Sequence, residues 1–87
     1  MRLLLDQAAR NALRELRQLG RVQSYVRVFQ RTVAQIPRMD QGSVVDAFVH
    51  GLKEDVRAFV RTPRPDSLIE AVEAAETLEA STLEGRR

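Results

Sequence analysis

The sequence has no cysteine, no tryptophan, one histidine, one tyrosine and three phenylalanines among 87 residues. Without cysteine there is no disulfide staple, no thiolate zinc site and no cysteine nucleophile. His50 alone cannot build a histidine metal site, and no cluster of carboxylates stands at ligand spacing around it. Gly20, Gly42, Gly51 and Gly85 are scattered, so no glycine-rich loop cradles a phosphate. The longest wholly apolar run, Leu3-Leu4-Leu5, falls far short of the ~20 residues that span a bilayer. Met1-Arg2 before that run mimics the start of a signal peptide, but Asp6, Gln7 and Arg10 interrupt it too early. These absences argue against an enzyme, a cofactor, a small-molecule substrate and a membrane partner. The expected compartment is intracellular, the cytoplasm.

Hydrophobic residues make up 44% and charged residues 30%, a globular mixture in which one small domain is expected over residues 1–87. Charge is unevenly placed. Residues 1–38 hold eight Arg against Asp6 and Glu15, residues 39–64 balance, and residues 65–87 hold Arg86 and Arg87 against six acids. A basic amino-terminal half and an acidic carboxyl-terminal half attract one another, within a chain or between chains.

The periodicity predicts five short helices and no strand. Met1–Leu19 places Leu5, Ala8, Ala9, Ala12, Leu16 and Leu19 on one face at about 100° per residue. Arg10, Arg14, Arg17 and Arg21 form a row opposite, and Gly20 is expected to end the helix with a left-handed turn. Val22–Gln35 carries an apolar stripe of Val22, Tyr25, Val26, Phe29, Val33 and Ile36, and Pro37 stops it. Asp40 or Ser43 caps a third helix, Val44–His50. Gly51 separates it from Lys53–Arg61, whose inward residues are Val56, Phe59 and Val60. Thr62-Pro63-Arg64-Pro65 forms a turn. Ser67 and Glu70 make a capping box for a last helix, Leu68–Ala80, burying Leu68, Ile69, Val72 and Ala75.

Three of these segments carry a family pattern. Arg17-Gln18-Leu19-Gly20-Arg21-Val22-Gln23-Ser24-Tyr25-Val26-Arg27-Val28-Phe29 resembles the "RQ-x-G-x-V-x-E-Y-x-x-x-F" segment that opens the carboxyl-terminal capsid domain of Gag in gypsy-class long-terminal-repeat retrotransposons. It is also similar to the major homology region of retroviral capsids. Phe48-Val49-His50-Gly51-Leu52 matches "F-x-x-G-L", and Pro65-Asp66-Ser67-Leu68-Ile69-Glu70-Ala71 resembles the closing "P-x-T-L-x-E-A". The resemblance spans about residues 10–80. It implies a compact all-α bundle of the retroviral capsid carboxyl-terminal type, whose motif residues Gln18, Gly20, Tyr25, Phe29, Phe48, Gly51 and Leu52 hold the shape. Ser24 departs from the family glutamate, and without cysteine there is no zinc knuckle.

The function so implied is structural: self-association of Gag into capsid-like particles, the partner being a second copy in a homodimer or larger assembly. The helix after the tyrosine helix serves this purpose in the domains resembled. There Val44, Phe48 and Leu52 fill the core side, and Val45 and Val49 on the shoulder are either the contact or further core. A domesticated adaptor that binds a host protein or peptide is the alternative of another class. The Arg10, Arg14, Arg17 and Arg21 row allows weak nonspecific RNA contact through phosphates. No aromatic residue interleaves it, so base stacking is not implied.

Overall fold

The computed structural model describes the backbone of residues 2–85 and the side chains of residues 7–82. The first helix, α1 (Arg2–Glu15), stops four residues before the expected Leu19. Two competing sets of partners end it. The Arg17 guanidinium donates to the Arg14 carbonyl at 2.7 Å and to the Leu16 carbonyl at 2.8 Å, where a cation complements the helix dipole. The Gln18 N–H then leaves the helical ladder for the Gly51 carbonyl, 2.7 Å away across the fold. The inward face of α1 is Ala9 and Leu13, with Leu16 half-buried, while Ala8 and Ala12 face solvent. Leu19 is 89% exposed, contrary to the helical wheel, because the chain is no longer helical there. Leu5, expected on the buried face, lies outside the described side chains. Gly20 does not adopt a left-handed backbone, and the space where a Cβ would stand is empty. The break in α1 is made by tertiary hydrogen bonds, not by this glycine.

Helix α2 (Val22–Val33) buries Val22, Tyr25, Val26 and Phe29 of the expected stripe and leaves Val33 half-buried. Its end tightens into i→i−3 bonds from Gln35 to Thr32 and from Ile36 to Val33, which bury Ile36 before Pro37. Helix α3 (Gln41–Gly51) begins earlier than expected. The Asp40 carboxylate accepts from the Ser43 N–H at 3.0 Å and from the Ser43 hydroxyl at 2.8 Å. Those bonds hold the Asp40 carboxyl below its ordinary range.

Helix α4 (Glu54–Arg61) has Glu54 and Asp55 in its first turn and Arg61 in its last, as the dipole favours. Val56 and Val60 face inward, whereas Phe59, expected beside them, is 42% exposed because two valines already fill an eight-residue helix's narrow contact. Helix α5 (Leu68–Gly85) is longer than the expected Leu68–Ala80. The Glu70 N–H reaches the Ser67 hydroxyl at 3.3 Å, but the Glu70 carboxylate accepts from Asp66, not from Ser67 as a regular capping box requires. Ala71 and Ala75 are the fully buried contacts of α5, and Ile69 is 72% exposed. Small alanines bring α5 close to α2, α3 and α4, and that register turns Ile69 outward.

At the centre, Tyr25, Phe29 and Phe48 stack with ring centroids 5.9, 5.3 and 5.2 Å apart. The Phe29–Phe48 pair is edge-to-face at 79°, the arrangement the ring quadrupoles prefer. Phe29, Phe48, Leu52, Val22 and Val60 are almost completely buried. The described residues are therefore all-α, five helices around one aromatic centre, with no strand among them.

Candidate assembly surface

The segment 16–21 crosses the end of α3, and Gln18 fastens it there. Gln18 is 6% exposed, and both the oxygen and the nitrogen of its amide are hydrogen-bonded. Its Oε1 accepts from the Lys53 N–H at 3.0 Å, and its Nε2 donates to the Gly20 carbonyl at 2.9 Å. With the main-chain bond to Gly51, one residue ties the loop before α2 to the junction of α3 and α4. Tyr25 works from the other side, its hydroxyl donating to the Phe48 carbonyl at 2.9 Å. Burial pushes its pKa up to about 12, against the opposing pull of Arg17. Gly51 lies between them. A Cβ there would run into the Tyr25 hydroxyl and stand 2.6 Å from the Leu16 carbonyl oxygen. Glycine is needed at 51 for space rather than for backbone freedom.

One member of this junction was not foreseen. The Glu79 carboxylate of α5 accepts from the Val22 N–H at 2.9 Å, capping α2 where Arg21 offers no side-chain bond. Where the family pattern has a glutamate just before the tyrosine, this chain has Ser24. Here a carboxylate reaches the first turn of α2 from 57 residues away. Only the glutamate's place on a helix was legible; its partner was not.

The arginine row does not survive folding as a row. Arg10 and Arg14 remain on α1, but Arg17 bends back to cap that helix and sits 3.2 Å from His50 Nε2. Arg21 becomes the N-cap residue of α2. Arg14 instead joins Arg61, Arg64 and His50 around an open concavity of about 570 Å³. Its floor includes Val45 and Val49, which are only 7% and 6% exposed. The shoulder of α3 thus belongs largely to this chain's own core. Among the described residues, the large apolar side chains that stay outside lie elsewhere: Leu19, Ile69, Val28 and Phe59. Leu19 and Val28, with Leu16 and Tyr25, line a groove of about 290 Å³ beside Arg17 and Arg21.

Among the described residues, no group of three or more His, Asp or Glu is placed to hold a metal ion. No described helix is long and apolar enough to cross a membrane.

A five-helix unit, all-α among the described residues and locked by Gln18, Tyr25 and Gly51, is consistent with a capsid-like helical domain. The family model for the PEG10/RTL1 C-terminal capsid-like domain matches residues 9–81. The chain belongs to that family. This class is structural and not typically catalytic. No curated protein matches the sequence significantly.

Proposed function

We propose that the chain is a Gag-derived assembly domain, of gypsy-class retrotransposon ancestry, whose work is to bind further copies of itself. The observation that carries this reading is the pairing of a closed core with exposed large side chains: Leu19 at 89% and Ile69 at 72% exposure on a capsid-like unit. Removing such side chains from water on association contributes about 25 cal/mol per Å² of apolar area. The interlocked junction of Gln18, Tyr25 and Gly51 keeps those surfaces at fixed angles, as a repeating assembly requires. Val45 and Val49 offer less area, so pairing through α3 would have to use the floor of the concavity.

A second reading has its own observation. The concavity over Val45 and Val49 combines an apolar floor with three arginines, Arg14, Arg61 and Arg64, against one acid, Asp46, an excess that suits a host peptide bearing acids around an apolar anchor. That is the adaptor reading of a domesticated domain. RNA contact through Arg10 and Arg14 would be weak and salt-sensitive.

Sedimentation of the concentrated chain before and after nuclease treatment separates these. Assembly through protein surfaces keeps its mass when nucleic acid is removed. Assembly that collapses with nuclease would show that RNA bridges the copies and would overturn the proposal.

A further inference from the structure

We propose that the concavity walled by Arg14, Arg61 and Arg64 binds an acidic peptide segment of another protein, with Arg64 placed there as the residue that recognises it. The proposal deepens the adaptor reading and rests on it.

Two of the three arginines have a local reason for their positions. Arg14 lies in the last turn of α1 and Arg61 in the last turn of α4, where a cation complements the helix dipole. Arg64 has no such reason. It follows α4, in the turn between Pro63 and Pro65, and its N–H donates to the Arg61 carbonyl at 3.1 Å. Its φ is 50°, a left-handed backbone that glycine adopts at less cost. A residue before proline also ordinarily stays extended. A smaller residue would serve that turn better. What arginine adds is a guanidinium on the wall of the concavity.

The lining suits a peptide better than a nucleic acid. Val45, Val49 and Pro65 give it apolar surface, and it contains no aromatic ring on which a base could stack. Three arginines stand there against one acid, Asp46. Arg17 and Arg57 spend their guanidiniums on main-chain carbonyls. Among the described residues, the guanidiniums of Arg14, Arg61 and Arg64 make no such bond. Their donors remain for a ligand's carboxylates, which a guanidinium grips through two parallel bonds. The occupant this pattern fits has an apolar anchor on the floor and carboxylates reaching the wall.

Arg38 supplies the control. It too follows a proline with a left-handed backbone, φ 61°, but it does not line the concavity. Arg64→Gly and Arg38→Gly each remove one charge and one strained side chain from an exposed position, so both keep the helical circular dichroism of the parent chain. The probe is a fluorescein-labelled peptide with glutamates on both sides of a central leucine, followed by fluorescence anisotropy at low salt. The parent chain and Arg38→Gly bind it saturably and alike. Arg64→Gly binds at least about tenfold more weakly, as does Arg64→Gln, which keeps an extended polar side chain without the charge. Replacing the peptide's leucine by serine weakens binding to the parent chain. If the parent chain does not bind the peptide, the adaptor reading falls and the proposal with it. If both glycine variants weaken binding alike, the attraction is general charge, and the proposal falls while the adaptor reading stands. The proposal also falls if the serine peptide binds as tightly as the leucine one, or if a single-stranded RNA of equal charge displaces the peptide at equal concentration. Loss of the chain's own self-association in Arg64→Gly, read by light scattering, would make a second copy the occupant and overturn it too.

Discussion

Replacing Gly51 by alanine adds a single methyl group at the most crowded point of the fold. Its Cβ would meet the Tyr25 hydroxyl at an impossible separation, with the Leu16 carbonyl oxygen at 2.6 Å and Tyr25 Cζ at 2.9 Å. The Leu16 carbonyl is backbone, and Tyr25 is packed between Phe29 and Phe48, so neither yields freely. Overpacking of this kind costs about 1–3 kcal/mol. Displacing the Tyr25 hydroxyl also strands the buried Phe48 carbonyl, for about 1–3 kcal/mol more. Against this, alanine gains about 1 kcal/mol over glycine inside a helix, and less at position 51, which is the last residue of α3. The net is about 3 kcal/mol of destabilisation. At roughly 4–8 °C per kcal/mol for a domain of this size, Tm falls by about 12–24 °C. Urea and thermal unfolding followed by circular dichroism measure it. Tyr25→Phe removes the atom nearest the new methyl, so Gly51→Ala costs about 1–2 kcal/mol less in that background. An alanine variant that melts at or above the parent temperature would refute the reasoning, showing that helix propensity outweighs the clash.

Gln18→Ala removes both side-chain bonds of the loop clamp and costs about 2–4 kcal/mol; hydrogen exchange at the Lys53 amide accelerates more than at amides remote from the clamp. Phe48→Ala empties the centre of the aromatic trio and costs about 3–5 kcal/mol by urea unfolding. Tyr25 has an ordinary pKa of 10.0 and a folded one of about 12, so folding favours its neutral form. Its contribution is complete below pH 10 and is lost as pH rises toward 12. Stability therefore declines over that window, and Tyr25→Phe flattens the decline while costing about 1–3 kcal/mol at neutral pH. Tyr25 is the chain's one tyrosine, so its ultraviolet titration reports the group directly.

What the sequence made legible follows the range of the interaction. The buried stripe of α2 and the cap of α3 depend on residues within one or two turns; spacing showed the stripe and narrowed the cap to Asp40 or Ser43, of which Asp40 is the one used. The end of α1 depends on Gly51, 33 positions after Gln18, and no local pattern shows that bond. The same holds for Glu79 on Val22 and for Gln41, whose side chain accepts from the Leu68 N–H at 3.3 Å to hold the start of α5. Ile69 and Phe59 were expected inside because they are large and apolar. The alanines and valines beside them make the contacts, and the larger residues are turned outward. The wheel for α1 chose Ala8 and Ala12 over Leu13 because it extended the helix through Leu19 and fitted the wrong face. For the candidate surface, the charge asymmetry of the chain was visible at once. Which apolar residues stayed outside was set by long-range packing and was not.

The central claim, that this capsid-like domain binds its own copies, is tested most directly by sedimentation equilibrium of the parent chain over a wide concentration range. A single chain has a mass of 9.9 kDa. The account predicts a weight-average mass that rises above this value with concentration and falls back as salt screens the attraction between basic and acidic parts of neighbouring copies. A mass that stays at that of one chain at every concentration and at low salt would contradict it.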